Sequence, residues 1–254
     1  MDMPKNAFKA ALKAGKRQIG LWVTVSDPAQ VEMLAACGYD WLMLDTEHSP
    51  AQVPDVLSMM QAAAPYPVSC GVRPGWNDTV EIKRFLDAGA QTLLIPYVQN
   101  AEEARAAVAA VRYPPEGVRG VSGASRSSRF GMVKGYLDKA AEEICLLVQV
   151  ESVEALGKIE EIAQVEGVDG IFIGPADLAA SMGHVGNASH PDVKAAVLDG
   201  LRRIKAAGKP PGVLTLDNSF LGDCAEAGAQ FIAVGLDMIL LREAALSLRA
   251  EWAD

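Results

Sequence analysis

The chain has 254 residues, half of them hydrophobic, 22% charged and 6% aromatic. A chain of that length can bury roughly 70% or more of its unfolded surface, so it folds without needing a disulfide or metal staple. Its 23 Lys+Arg against 32 Asp+Glu give a net charge of −9; with no basic run to offset this, nucleic acid and anionic membrane are excluded as expected partners.

The first segment, MDMPKNAFKAALKAGKRQ, reads as a short basic amphipathic helix and lacks the continuous apolar core of a secretory signal. No apolar stretch approaches the roughly 18 to 20 residues that cross a bilayer. Short β-rich apolar runs then alternate with Ala-rich segments. They are GLWVTV from Gly20, WLMLD from Trp41, PVSCGVR from Pro67 and TLLIP from Thr92. ICLLVQV from Ile144, GIFIG from Gly170, GVLTL from Gly212 and FIAVG from Phe231 complete the series. Continuous rather than alternating apolar character suits strands covered on both faces, as in parallel sheets.

Between the runs, Ala101, Ala104, Val108 and Val111 recur at helical spacing, with Glu102, Glu103 and Arg105 on the other side. Ser26-Asp27-Pro28 and Asn77-Asp78 predict helix starts. Gly38, Gly89 and Gly228 predict helix ends. Eight strand–helix units predict one α/β domain over residues 1–254, a (β/α)₈ TIM barrel behind a short N-terminal helix. An open doubly wound sheet is the alternative, and the lack of G-x-G-x-x-G after the first strand counts against it. Residues 113–131, YPPEGVRGVSGASRSSRFG, and 183–191, GHVGNASHP, break the rhythm as candidate lids, binding loops or interface arms. Cys37, Cys70, Cys145 and Cys224 are scattered without zinc spacing. A reduced, cytoplasmic protein is expected.

In such a barrel, chemistry sits where strands end and loops begin. Asp45, Glu47 and His48 follow the second run, Arg73 ends the third, and Gln149 and Glu151 end the fifth. Gln149 and Glu151 share one face by strand alternation. Asp177 follows the sixth run within GPADL. Glu151 and Asp177 come from neighbouring strand ends, where two unpaired carboxylates would repel. A hard divalent cation such as Mg²⁺ or Mn²⁺ between them would remove that penalty, although each acid read alone also fits a helix cap or an Arg partner. Gly174 and Pro175 lead into a helix start whose Ala176 and Asp177 amides suit a substrate carboxylate. Arg73 suits a developing oxyanion or a structural ion pair. His48 suits a general base or a structural role, while His184 and His190 read as solvated loop residues. Asp87 alone reads as a surface residue. Trp22, Val121 and Leu216 are expected to shape the far end of a pocket. No lysine lies at a strand end to form a Schiff base.

The motifs LDTEHSP, VRPGWND, EGVRGVSGASR, LLVQVESVEAL and DGIFIGPADLAASMG occur in the order found in the HpcH/HpaI family. Across nearly the whole chain they most resemble its metal-dependent class II pyruvate aldolases. The resemblance implies His48 as general base, Asp87 as the carboxylate raising its basicity, and Arg73 as stabiliser of the enolate oxygen. It further implies Gln149 as a substrate contact, Glu151 and Asp177 as ligands of Mg²⁺, Mn²⁺ or Co²⁺, and the Ala176 and Asp177 amides as the carboxylate site. Asp45 and Glu47 match the motif without an assigned role. A homohexamer is implied, with the tail from Asp237 to Trp252 exchanged between subunits and the Gly117–Gly131 loop lining a neighbour's pocket. The implied reaction is reversible cleavage of 4-hydroxy-2-oxo acids to pyruvate, or a similar 2-oxo acid such as hydroxypyruvate, and an aldehyde. The alternatives are a CoA-thioester lyase resembling the citrate lyase β subunit and a catalytically silent barrel serving as a binding module.

Overall fold

The computed structural model describes residues 1–252. Eight parallel strands close on themselves in chain order: β1 Gln18–Val23, β2 Trp41–Asp45, β3 Ser69–Arg73, β4 Thr92–Ile95, β5 Cys145–Val150, β6 Gly170–Ile173, β7 Pro211–Leu214 and β8 Phe231–Leu236. The helices are α1 Ala7–Lys13, α2 Pro28–Ala35, α3 Val53–Ala63, α4 Thr79–Asp87, α5 Ala101–Val111 and α6 Tyr136–Glu143. They continue with α7 Val153–Leu156, α8 Ile159–Ala163, α9 Pro175–Ser181, α10 Pro191–Ala206, α11 Asn218–Ala227 and α12 Asp237–Ala250. The expected (β/α)₈ barrel is therefore present. Beyond the simple repeat, α6 precedes β5, and β5 and β6 are each followed by two helices.

Local chemistry sets the boundaries. Asp27 and Asp78 cap α2 and α4 by accepting the Gln30 and Glu81 N–H groups, as their sequence contexts predict. Gly228 ends α11 at φ 109°, a left-handed conformation that costs glycine little. The run GLWVTV overshoots its strand. The Thr24 and Val25 amides leave the ladder and donate to the Asp237 carboxylate at 3.0 Å each, which also accepts from Gln30 Nε2 at 2.8 Å. Asp237 thus ties the mouth of β1 to the start of α12 across the β8–β1 seam.

Strand alternation sorts the side chains into two cores. Leu42, Leu44 and Val72 face outward into the layer beneath the helices. Trp22, Trp41, Met43, Leu147, Phe172 and Phe231 fill the barrel, each contributing on the order of 1.5–3 kcal/mol by burial. Glycines make room for these rings: a Cβ on Gly20 would collide with the Trp41 indole, and one on Gly212 with the Phe231 ring. At the N-terminal end of the barrel α1 acts as a stopper, with Phe8 edge-on to Trp41 and Phe231 at 5.9 Å each. The opposite end is left open.

Candidate active site

At that open, C-terminal end lies a cavity of about 500 Å³, lined by Trp22, Asp45, His48, Arg73, Gln149 and the Gly174–Asp177 turn, among others. A larger groove of about 640 Å³ at the N-terminal end, between α1 and the 126–129 turn, brings no comparable set of strand-end acids together. The chemistry points to the mouth.

Closing the barrel brings the ends of β1, β2 and β3 into one cluster. Arg73 donates through Nε and Nη2 to the two Asp45 oxygens at 2.9 and 2.6 Å. Trp22 Nε1 donates to Asp45 Oδ2 at 3.2 Å, and the guanidinium lies 4.8 Å from the Trp22 ring centre. Arg73 is therefore locked by a fork and an aromatic face. Burial pushes the Asp45 carboxyl up, but the Arg73 bonds and charge, with the Trp22 and Glu47 N–H groups, outweigh it and hold it below the ordinary value. Glu47 Oε2 lies 2.7 Å from Arg73 Nη1 without aligning as a hydrogen bond, and it has no hydrogen-bond partner among the described residues. It is an ion contact. Desolvation raises the Glu47 carboxyl despite the opposing Arg73 and His48 charges, and Asp45 and Asp177 raise it further. His48 is largely exposed at the cavity edge, with Nε2 3.9 Å from Glu47 Oε2.

The second cluster comes from β5 and β6, which are paired neighbours. Gln149 and Glu151 do share a face, and Gln149 Nε2 donates to Glu151 Oε2 at 2.5 Å. The other Glu151 oxygen accepts the Tyr97 N–H at 2.8 Å. Tyr97 reaches it from a left-handed φ of 55°, a strained conformation for a non-glycine residue, with its ring stacked on Trp76. Nothing in the PYVQN sequence signals this contact. Burial and the nearby Asp177 charge push Glu151 up to about 7, with Glu47 adding to them against the Tyr97 and Gln149 hydrogen bonds. Gly174 stands where any Cβ would strike Glu151 Oε2 and Gln149 Nε2, so this cradle requires glycine. Pro175 then opens α9. The first-turn amides of Ala176 and Asp177 have no intrahelical acceptor and lie at the cavity wall.

The electrostatics fit a cation. Asp45 neutralises Arg73, leaving Glu47, Glu151 and Asp177 as surplus acids around one mouth, and the buried Gln149 Oε1 has no hydrogen-bond partner among the described residues. The oxygen donors of Glu151 and Asp177, which follow two adjacent strands, have the chemistry that suits a hard divalent ion.

Three expectations need correction. Asp87 does not meet His48 within a chain: it ends α4 at the N-terminal end of the barrel, where it pairs with the buried Arg119 at 3.0 Å. The helix runs back down the barrel after β3 and carries its last residue away from the mouth. Leu216, half-exposed, lies beyond β7, and Leu214, Leu236 and Met238 form that wall of the cavity instead. His184 and His190 are partly exposed loop residues. Their rings stack at 3.6 Å. The 113–131 loop sits at the N-terminal end of its own barrel, tethered by Val118 N–H to Ala109 O at 2.8 Å. Trp22 lines the cavity wall, and its N–H bond to Asp45 is a contact that spacing in the sequence does not reveal.

Fold and mouth together define a parallel barrel with a buried guanidinium facing paired acids. Residues 18–244 match the HpcH/HpaI aldolase/citrate lyase family, and the chain belongs to it. It is 61% identical over 253 residues to the hydroxypyruvate/pyruvate aldolase of Sagittula stellata, covering 100% of both chains. It is 53% identical to the 4-hydroxy-2-oxo-heptane-1,7-dioate aldolase of Klebsiella pneumoniae, over 97% of this chain and 94% of that one. A solved structure of an HpcH/HpaI aldolase/citrate lyase family protein from Burkholderia cenocepacia superposes with a TM-score of 0.93 at 38% identity, over 98% of this chain and 100% of the other.

Proposed function

We propose that this chain is a divalent-metal-dependent aldolase that reversibly cleaves 4-hydroxy-2-oxo acids to pyruvate, or a hydroxypyruvate-like 2-oxo acid, and an aldehyde. The observation that carries the reading is that the locked, buried Arg73 lines one cavity together with Gln149, which is bonded to Glu151. The family membership and the names of the relatives support the reaction class.

Glu151 and Asp177 would hold Mg²⁺, Mn²⁺ or Co²⁺. When bound, such an ion supplies Lewis-acid polarisation of a 2-oxo acid. The Ala176 and Asp177 amides receive the substrate carboxylate, and Gln149 directs its amide at the bound acid. His48 takes the proton of the 4-hydroxyl, and Glu47, 3.9 Å away, supports the resulting imidazolium. As the C4–O bond becomes a carbonyl, the C3–C4 bond breaks and its electron pair passes to the pyruvate enolate. Arg73, held fixed by Asp45, faces the developing oxygen charge at no reorganisation cost. The proton that His48 took is returned by way of solvent to C3, giving pyruvate and a neutral imidazole, and the aldehyde leaves through the mouth past Trp22, Leu214 and Met238. Asp87 has no step in this single-chain arrangement.

Among the described residues, Arg73 is the only Lys or Arg lining the cavity. That argues against a CoA phosphate site and gives no amine for a Schiff base. The proposal extends to a cytoplasmic homohexamer. On α12, Met238, Leu241 and Leu248 recur at helical spacing and, with Trp252 just beyond its end, are all exposed, an apolar stripe that a neighbouring copy would cover. To test the reaction, chelator-treated protein is supplied with each cation and assayed with pyruvate and hydroxypyruvate against a panel of aldehydes. The expected result is carbon–carbon bond formation only when a divalent ion is restored. Full activity after chelation would overturn the metal reading, and no product with any aldehyde would overturn the aldolase reading.

A further inference from the structure

Where α9 hands over to α10, the turn 182–190 gathers His184, His190 and Asp192. Among the described residues, this is the only place where three His, Cys, Asp or Glu ligand atoms lie within 4.8 Å of one another. His184 Nε2 is 3.9 Å and His190 Nδ1 3.7 Å from Asp192 Oδ2, too long for hydrogen bonds. The two rings lie nearly parallel, 14° apart. Three tetrahedral ligands at about 2.1 Å from a zinc ion stand about 3.4 Å from one another. The two separations from Asp192 are thus a few tenths of an ångström wider than an occupied site requires, and the two imidazole nitrogens stand within 4.8 Å of each other. Because imidazole lone pairs lie in the ring plane, binding requires the stacked rings to swing apart about their side-chain torsions until both nitrogens face one point.

The backbone prepares this arrangement. Gly183 and Gly186 take positive φ of 85° and 75° on either side of His184. His184 N–H donates to Ala179 O at 2.7 Å, Asn187 N–H to His184 O at 2.9 Å, and His190 N–H to Asn187 O at 3.1 Å. The one competing bond is Asp192 N–H to His190 Nδ1 at 3.2 Å, a cap that a metal would displace at an exposed helix start where water can replace it.

We propose that His184, His190 and Asp192 form a second metal site, distinct from the mouth and selective for imidazole-seeking divalent transition ions such as Zn²⁺ or Ni²⁺. Two imidazoles and one carboxylate suit those ions, whereas Mg²⁺ prefers an all-oxygen octahedron and keeps its water. The bound ion pins the end of α9 to the start of α10. Because α9 begins with the Ala176 and Asp177 amides, the clamp stiffens the helix that forms one wall of the catalytic cavity.

The test is equilibrium dialysis and calorimetry of the full chain, freed of metal by chelation, with ZnCl₂, NiCl₂ or MgCl₂ as the probe. Glu151→Ala is expected to keep a zinc equivalent per chain, and His184→Ala in that background to lose it. His184→Ala alone is expected to keep the wild-type Mg²⁺ affinity and Mg²⁺-supported rate, which also shows that it folds. His190→Asn retains an N-cap acceptor and is expected to lose the zinc equivalent as well. Zinc stoichiometry unchanged by His184→Ala, or no zinc binding by Glu151→Ala, overturns the second site. Either result leaves the aldolase reading intact, while chelator-insensitive catalysis overturns the aldolase metal reading and leaves this one intact.

Discussion

Replacing Glu151 by glutamine is expected to stabilise the metal-free protein at alkaline pH while removing its metal-supported activity. The Glu151 carboxyl is pushed from an ordinary 4.5 to about 7 by burial and by Asp177. At pH 4 and below it is protonated in both the folded and unfolded chain, and contributes nothing to the difference. Between 4.5 and about 7 the unfolded chain releases the proton first, so folded stability falls as pH rises. Above about 7 the loss is complete. At ~1.4 kcal/mol per pH unit, that gap is worth about 3 kcal/mol. The amide never ionises, and it fits the same bonds. Tyr97 still donates to one oxygen, and Gln149, whose Oε1 has no hydrogen-bond partner among the described residues, can turn its amide over to accept from the new NH₂. Thermal melts of chelator-treated wild type and Glu151→Gln at pH 5 and pH 8 read the effect. The variant should melt about 6–12 °C higher at pH 8, from a scale of about 2–4 °C per kcal/mol for a chain this long. At pH 5 the difference should shrink to about 2–3 °C. A difference of the same size at both pH values, or a less stable variant at pH 8, would refute the electrostatic account of the site.

Three other outcomes follow from the geometry. Arg73→Lys keeps a positive charge but loses the fork onto Asp45, so kcat should fall by about 100-fold or more with a smaller change in KM; a rate within a few-fold of wild type would remove Arg73 from enolate stabilisation. Gly174→Ala places a methyl against Glu151 and Gln149, and calorimetry should show weakened Mg²⁺ binding together with a stability loss of about 1–3 kcal/mol; unaltered affinity would show that the cradle does not position the acid. The pair Leu241→Glu and Leu248→Glu puts charge on the exposed α12 stripe and should lower the assembly mass in light scattering while each chain stays folded. An unchanged mass would show that α12 does not mediate assembly.

Much of this molecule is legible before it folds, because the relevant forces are local. The apolar runs mark the strands since each is buried on both faces, and Asp27, Asp78 and Gly228 mark helix ends through bonds or dihedrals within a few residues. The common face of Gln149 and Glu151 follows from strand alternation alone, as does the adjacency of Asp177 once β5 and β6 are neighbours. The motifs named the family for the same reason: residues at strand ends stay in order along the chain.

What depends on closure is invisible in that order. Trp22, Asp45 and Arg73 lie on three different strands, and only the barrel's register makes them one hydrogen-bonded unit. Tyr97 serves Glu151 through its backbone, which no side-chain motif encodes. Asp87 appears close to the site along the sequence, yet the return path of α4 carries it to the far end. Chain order thus determined which residues belong to each strand and helix, because hydrogen bonds and side-chain periodicity act over a few residues. The tertiary structure decided which of them meet, because contacts between strand ends and the partial dehydration of their acids exist only once the barrel has closed.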